Sequence, residues 1–204
     1  MIAIIDYGVG NLFSLNSSIK YIGHEAVITS DFTVISRCDR LVLPGVGAFA
    51  DAAAKLRRTG LGELVISEAG RGKPLLGICL GMQLLFEKSL EFGEHEGLGL
   101  LQGVVAPIKP VMPEGYKIPH IGWNALRFKG SGAAGLFRNI NEGGYVYFVH
   151  SFYAENCEQS VIATTDYGAE LTAAVGLGNI YGTQFHPEKS GEVGLAILKA
   201  FAEL

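Results

Sequence analysis

The stretch Leu75-Leu76-Gly77-Ile78-Cys79-Leu80-Gly81-Met82 constrains this chain more than any other part of it. A short apolar run leads into Gly-x-Cys-x-Gly, and a second apolar run follows. The pattern reads as a buried strand, a sharp turn carrying the cysteine, and the start of a helix. Side chains beside the cysteine would collide in so tight a turn, so glycine suits positions 77 and 81. Such an elbow presents a thiol at the end of a strand. The positive end of the following helix points at the sulfur, and the Leu80 N–H faces the same spot, where it can hold an oxyanion. The plainer account is that Cys79 fills core, because free cysteines are among the most buried residues. The strand–turn–helix context favours the nucleophile. Cys38 and Cys157 have no such setting and read as core filler.

The flanking sequence says what kind of sheet holds this strand. Met1 to Ile5, Ala26 to Thr29, Leu41 to Leu43 and Leu75 to Ile78 are short apolar runs. Between them, Asn11 to Ile22, Phe49 to Arg58 and Leu61 to Arg71 show helical spacing, and Leu80 to Lys88 reads as a further helix. Strand alternating with helix predicts a parallel sheet covered on both faces, an α/β fold. From about Leu98 to Asp166 the texture changes to short strands punctuated by glycine and proline: Val104 to Ile108, Ile121 to Phe128, Tyr145 to Phe148 and Val161 to Thr165. These predict a smaller antiparallel or mixed insert. Alternation returns with a strand at Ile180 to Phe185 and a helix from Gly191 to Leu204, whose inner face is Val193, Ile197, Ala200 and Leu204. No repeat or linker interrupts the 204 residues, so one domain, residues 1–204, is expected.

Composition narrows the partners. The net charge of -4 and the lack of a basic stripe speak against a nucleic-acid partner. Three widely spaced cysteines form no CxxC pair, so neither a disulfide framework nor a zinc knot is expected, and a reducing compartment fits. The opening MIAIIDYG has no basic stretch before its apolar run, and the longest apolar stretch, Pro74 to Phe86, falls short of the ~20 residues a spanning helix needs. The expectation is a cytoplasmic protein without membrane or cofactor. Gly8-x-Gly10 follows a strand, but Phe13 stands where a dinucleotide loop needs its third glycine, so no nucleotide site is expected there.

A thiol nucleophile needs a base, and five histidines are available. His24 follows a helix end and His95 sits in a charged loop. His120 and His150 read either as structural histidines or as walls of a site. His186 ends an apolar strand in Thr183-Gln184-Phe185-His186-Pro187-Glu188. The C-terminal ends of parallel strands share one crevice, where the elbow also lies. Glu188 is two residues on, so in an extended segment it faces the same side and can accept from one ring nitrogen while the other faces the sulfur. A chance surface turn is the bland alternative for His-Pro-Glu alone. Paired with the elbow, a Cys79–His186–Glu188 triad is the better account.

These residues resemble the class I, triad-type glutamine amidotransferases. Family members carry a glycine-rich oxyanion loop after the third strand, here Pro44-Gly45-Val46-Gly47. The opening Asp6-Tyr7-Gly8-Val9-Gly10-Asn11, with Pro119-His120-Ile121-Gly122-Trp123-Asn124, Tyr147-Phe148-Val149-His150-Ser151 and Gly182 through Ser190, is similar to family members that serve a cyclase. The resemblance implies a flavodoxin-like α/β sheet and glutaminase chemistry at Cys79, His186 and Glu188. It implies an oxyanion hole from Leu80, Gly45 and Val46, and a glutamine pocket lined by Gly47, Gln83, Ser151 and Phe152. It also implies that ammonia passes to a (β/α)8-barrel cyclase subunit in a heterodimer of histidine biosynthesis. Asn11, Trp123, Tyr147 and Lys189 would face that partner, although Trp123 as core and Lys189 as a solvated charge are the plain alternatives. A related subunit serving pyridoxal phosphate synthesis, a stand-alone hydrolase of γ-glutamyl amides and a non-catalytic binding subunit remain open at this point.

Overall fold

The computed structural model describes residues 1–130 and 133–204. In chain order come β1 (Ile2–Ile5), α1 (Leu12–Tyr21), β2 (Ala26–Thr29), α2 (Phe32–Arg37), β3 (Arg40–Leu43), α3 (Phe49–Thr59), α4 (Leu61–Gly70), β4 (Leu75–Ile78) and α5 (Leu80–Gln83). Then follow β5 (Phe86–Ser89), β6 (His95–Glu96), β7 (Leu101–Pro107), β8 (His120–Ala125), β9 (Arg127–Phe128), α6 (Ala133–Leu136), β10 (Tyr145–His150) and β11 (Phe152–Glu155). The chain ends with β12 (Val161–Asp166), β13 (Glu170–Leu177), β14 (Ile180–Thr183) and α7 (Gly191–Ala202).

An eight-stranded sheet runs β2-β1-β3-β4-β14-β13-β12-β9. Its first five strands pair in parallel and the rest antiparallel. Successive residues of a strand point to opposite faces, and β1 shows the result: Ala3 and Ile5 enter one core with Leu41, Phe49, Leu56 and Val65. Ile2 and Ile4 enter the other, with Leu15, Ile19, Ile197 and Phe201. Helices therefore cover both faces, α3 and α4 on one side and α1 and α7 on the other, as the buried apolar strands require. Two smaller sheets complete the molecule, β11-β7-β5-β6 and the two-stranded ribbon β10-β8. Among the described residues no helix is long and apolar enough to cross a membrane.

The structure departs from the sequence-based reading at several points. The helix expected over 80–88 stops at Gln83, and Phe86–Ser89 becomes a strand pairing with β7 and β6. Leu84, Leu85 and Phe86 are all fully buried, so this run lacks the polar face that would mark a surface helix. The helix α2 is absent from the sequence-based reading; Asp31 caps it by accepting from Val34 N at 3.0 Å. The expected insert divides in two: β12 and β9 extend the main sheet through β13, whereas β7, β8, β10 and β11 form the smaller sheets. The 121–128 strand breaks at Leu126, which is buried. On α7 the buried face is Ile197, Leu198, Ala200 and Phe201, while Leu204 lies exposed beyond its end.

Candidate active site

Three neighbouring strands, β3, β4 and β14, end on the same edge of the sheet, with β4 in the middle. This order alone brings together the Pro44–Gly47 loop, Cys79 and the His186–Glu188 segment, each of which follows one of those strands.

Cys79 has φ 54° and ψ -112°, a strained conformation for a residue with a side chain. Its backbone N–H donates to Thr183 O at 2.7 Å, tying the elbow to β14. Both flanking glycines are obligatory for steric reasons. A Cβ on Gly77 would stand 2.6 Å from the Gly81 carbonyl oxygen and 2.7 Å from Met82, and one on Gly81 would run into the Leu43 carbonyl. The turn is thus packed backbone against backbone, and the strain at Cys79 is held by its surroundings. The thiol lies near the Val149 carbonyl at 4.0 Å and the Gln184 side-chain amide at 3.8 Å.

His186 and Glu188 form a buried pair, Nδ1 to Oε1 2.8 Å, with each side chain only 4% exposed. The histidine backbone is fixed on both sides: its N–H donates to Tyr147 O at 3.0 Å, and its carbonyl accepts from Ser190 Oγ. Burial works against a charged His186, but the Cys79 thiol and the Glu188 carboxylate outweigh it and hold the imidazole up at about 9. The arrangement favours an imidazolium whose Nδ1 hydrogen is fixed by Glu188 and whose other nitrogen serves the sulfur.

Cys79 and His186 open into a cleft of about 610 Å³. Val46, Gly47, Leu80, Gln83, Ser151 and Phe152 also line it, so most of the residues singled out for the oxyanion hole and the pocket meet there. Gly45 does not line this cleft. It sits behind the loop, where a Cβ would meet Tyr7 Oη at 2.8 Å and Gly81 N at 2.9 Å. Gln83 is buried and engaged internally, donating to the Phe152 carbonyl at 3.2 Å and to Gln184 Oε1 at 3.0 Å. It therefore shapes the wall through Phe152. Tyr7 Oη donates to Pro44 O at 2.7 Å and anchors the upstream end of the glycine-rich loop.

His150 lines the cleft, as the reading of it as a site wall expects, and the cleft also takes in Glu91, Phe92 and Lys109, which nothing in the sequence singles out. Glu91 accepts from the Phe49 backbone N–H across the cleft wall. A cleft holding Glu91 together with Lys109 and Lys189 offers acidic and basic side chains, as binding a zwitterion requires. No motif marks Glu91, Phe92 and Lys109, because the segments after β5 and β7 reach the cleft only through the small sheets.

Trp123 and Tyr147 pair across the β8–β10 ribbon, with ring centroids 6.1 Å apart. Lys189 Nζ lies 5.9 Å from the Tyr147 ring. Trp123 is 52% exposed, so it is not core. These three form one patch at the cleft rim. Asn11 stands on the loop after β1, where it lines a small cavity with Gly45, Val46, His186 and Glu188 and its side chain caps α1 by accepting from Ser14 N at 3.4 Å. The other sequence-level assignments fall where expected for filler: Cys38 and Cys157 are buried and unpaired. Among the described residues no group of three or more His, Cys, Asp or Glu could hold a metal ion.

The glutamine amidotransferase class-I family model matches residues 3–203. An imidazole glycerol phosphate synthase subunit HisH from Caldanaerobacter subterraneus subsp. tengcongensis is 50% identical over 205 aligned residues, covering 100% of this chain and 98% of that protein. The protein of the same name from Wolinella succinogenes is 49% identical, with 100% of both chains covered. Among solved structures, a glutamine amidotransferase superposes with TM-score 0.76 at 19% identity over the whole of both chains. The structure of PurLQS from Thermotoga maritima gives TM-score 0.76 at 20% identity, covering 99% of this chain and 97% of that one. At such identities the superpositions speak for the fold.

Proposed function

The chain belongs to the class-I glutamine amidotransferase family, and from that premise we propose that it is the glutaminase subunit of an imidazole glycerol phosphate synthase in histidine biosynthesis. The observation that carries this reading is the match along the whole chain to HisH subunits, taken with a strained Cys79 beside a buried His186–Glu188 pair. Residues 1–204 are read as one amidotransferase domain.

In the proposed reaction, the Cys79 sulfur attacks the side-chain amide carbon of glutamine. The carbonyl oxygen takes up the displaced electron pair and becomes an oxyanion, held by the Leu80 N–H and by an N–H of the Gly45–Val46 segment. Collapse breaks the C–N bond, and His186 gives a proton to the departing nitrogen, which leaves as ammonia. The glutamyl thioester remains. Water then attacks it while His186 takes a proton, and glutamate leaves with Cys79 regenerated. Glu188 holds His186 in one tautomer throughout and stabilises its charge. The raised titration of His186, up to about 9, supports its role as the proton donor of the first half.

Ammonia goes on to a second subunit, which we read as a (β/α)8-barrel cyclase making imidazole glycerol phosphate and an aminoimidazole carboxamide ribotide. The patch of Trp123, Tyr147 and Lys189 at the cleft rim suits that contact, because exposed aromatic residues clustered with a cation anchor interfaces. Asn11 at the same edge of the sheet would extend it.

The test is glutamate release from glutamine by the chain alone, with the barrel cyclase, and with the cyclase plus its nucleotide ligand. Cys79→Ala serves as the control. The expected outcome is low turnover alone, a rise of about 10²-fold or more with the liganded partner, and a loss of at least about 10⁴-fold in the variant. Equal turnover in all three conditions would instead mark a self-sufficient hydrolase.

A further inference from the structure

The β8–β10 ribbon has two faces. Ile121 and Trp123, paired with Val149 and Tyr147, point one way, and the first two are more than half exposed. His120, paired with His150, and Asn124, paired with Val146, point the other way. Both histidines are buried, and the proposed mechanism uses neither.

A hydrogen-bonded chain runs along this inner face, and its polarity can be settled from its two ends. A carbonyl oxygen only accepts. Asp166 O lies 3.0 Å from Asn124 Nδ2, which fixes the amide and leaves Asn124 Oδ1 facing His120 Nε2 at 2.8 Å. That amide oxygen also only accepts, so His120 Nε2 carries a hydrogen. At the far end Phe152 O lies 2.8 Å from His150 Nδ1, so this nitrogen carries a hydrogen too. Between the rings, His120 Nδ1 and His150 Nε2 stand 3.0 Å apart, a contact that needs one more hydrogen. The inventory is three N–H groups on two rings, and two neutral imidazoles supply only two.

We propose that His120 and His150 share one extra proton as a buried, singly charged pair, and that this pair positions the Phe152 wall of the glutamine pocket relative to strand β8. The surroundings of His120 suit the charge. Its ring is stacked against Tyr167 at 3.9 Å and Phe148 at 4.9 Å between centroids, faces that attract a cation. Burial opposes charge on both rings. On His120 burial is the larger effect and lowers the imidazole, with the Asn124 oxygen opposing it. On His150 burial prevails over the Phe152 carbonyl, with His120 and His186 adding to it, and brings the imidazole down to about 3. The stacked rings and the Asn124 acceptor make His120 the better host for the proton. Removing it would leave two lone pairs facing each other at 2.8 or 3.0 Å in a dry interior, so one contact of the chain would have to open.

The other groups that bear on the pair are few. His186 faces His150, and Lys109, Lys189 and Glu91 share the cleft that His150 lines. Among the described residues no carboxylate hydrogen-bonds either ring. Phe152 O accepts from both His150 and Gln83, so a change at the pair acts directly on the pocket wall. At its other end the chain reaches Asn124, next to Trp123 of the proposed partner patch.

The test labels the imidazole nitrogens of the full chain with ¹⁵N and reads their protonation by NMR. The expected result near neutral pH is N–H at both His120 nitrogens and at His150 Nδ1. Asn124→Asp keeps the acceptor and adds a negative charge, so it raises the pH at which the pair loses its proton. Asn124→Leu removes the acceptor and lowers that pH by about one unit or more. Only two hydrogens on the wild-type pair, or a midpoint unmoved by both substitutions, overturns the shared proton. The second arm measures glutamine turnover with saturating cyclase and ligand, and it rests on the glutaminase reading. Asn124→Leu is expected to raise KM about tenfold at neutral pH, with kcat within about twofold, and Asn124→Asp to restore KM. A KM that stays at the wild-type value across pH overturns the positioning role. The NMR arm needs no turnover, so failure of the glutaminase reading would leave its outcome intact.

Discussion

The cleft is built from two regions that hold their residues by opposite means. The strand ends of β3, β4 and β14 fix Cys79 and His186 through backbone packing: Gly77 and Gly81 admit no side chain, and main-chain hydrogen bonds join Cys79 to Thr183 and His186 to Tyr147. The β8–β10 ribbon lends the Tyr147 carbonyl to His186 but is otherwise organised through side chains, with His120, His150 and Asn124 linked on one face and Trp123 and Tyr147 presented on the other. A single two-stranded ribbon has little stability of its own, so it depends on what it packs against. The contrast teaches a division of labour. The proposed reacting groups sit on the rigid parallel sheet, and the groups of the proposed pocket wall and partner patch sit on the smaller, more adaptable ribbon.

The sharpest way to test the rigid half is Glu188→Gln. The amide keeps the shape but removes the charge that fixes His186, so kcat should fall by about 10³-fold while the fold survives, as measured by steady-state glutamate release and far-UV circular dichroism. The same variant carries a pH signature. In the folded chain His186 is raised from 6.5 to about 9, so it favours the charged form. Its contribution to stability is fully present below about pH 6.5 and is lost as pH rises through about 9. Urea melts at about pH 6 and pH 9.5 should therefore show wild-type stability falling across that window, and Glu188→Gln should show a smaller fall. Equal falls in both proteins would mean that Glu188 does not set the charge on His186.

Next in size, Gly77→Ala would push a Cβ to within 2.6 Å of the Gly81 carbonyl. The elbow cannot yield without moving Cys79, so denaturant midpoints should reveal a loss of about 1–3 kcal/mol, together with a drop in turnover. Full stability would break the claim that this half is held by close backbone fit. The smallest effect on the chain itself is expected on the ribbon. Trp123→Ala removes an exposed ring and should leave the denaturant midpoint within about 0.5 kcal/mol. The affinity for the cyclase should weaken by about 30-fold, read by titration calorimetry. Unchanged affinity would remove Trp123 from the interface.

Much of the rigid half was legible in the sequence because its constraints are local. Gly-x-Cys-x-Gly after an apolar run requires its own turn, and His-Pro-Glu at a strand end brings its acid to the same side as its base. The alternating apolar runs announce the parallel sheet before any contact is known. The rest of the cleft was less legible. Glu91, Lys109 and His150 come from two different small sheets, are far apart in sequence and carry no shared spacing, so nothing local marks them as neighbours. The 80–88 segment reads as helix because its apolar stretch Leu84-Leu85-Phe86 fits a buried helix and a buried strand equally well, and only the pairing of Phe86–Ser89 with β7 decides between them. β13 escaped notice for a related reason: in Glu170–Leu177 five consecutive residues are buried, so no alternation betrays the strand.

By itself, then, the sequence determined the elbow, the proposed Cys79–His186–Glu188 set and the parallel α/β class, because steric demands and pleat periodicity act over a few residues. Only the tertiary structure decided that β3, β4 and β14 stand side by side, that His186 is charged against its burial, and that two buried histidines share one hydrogen-bonded chain. Those outcomes depend on strand order, desolvation and the direction of individual hydrogen bonds, which arise only when residues distant along the chain are packed together.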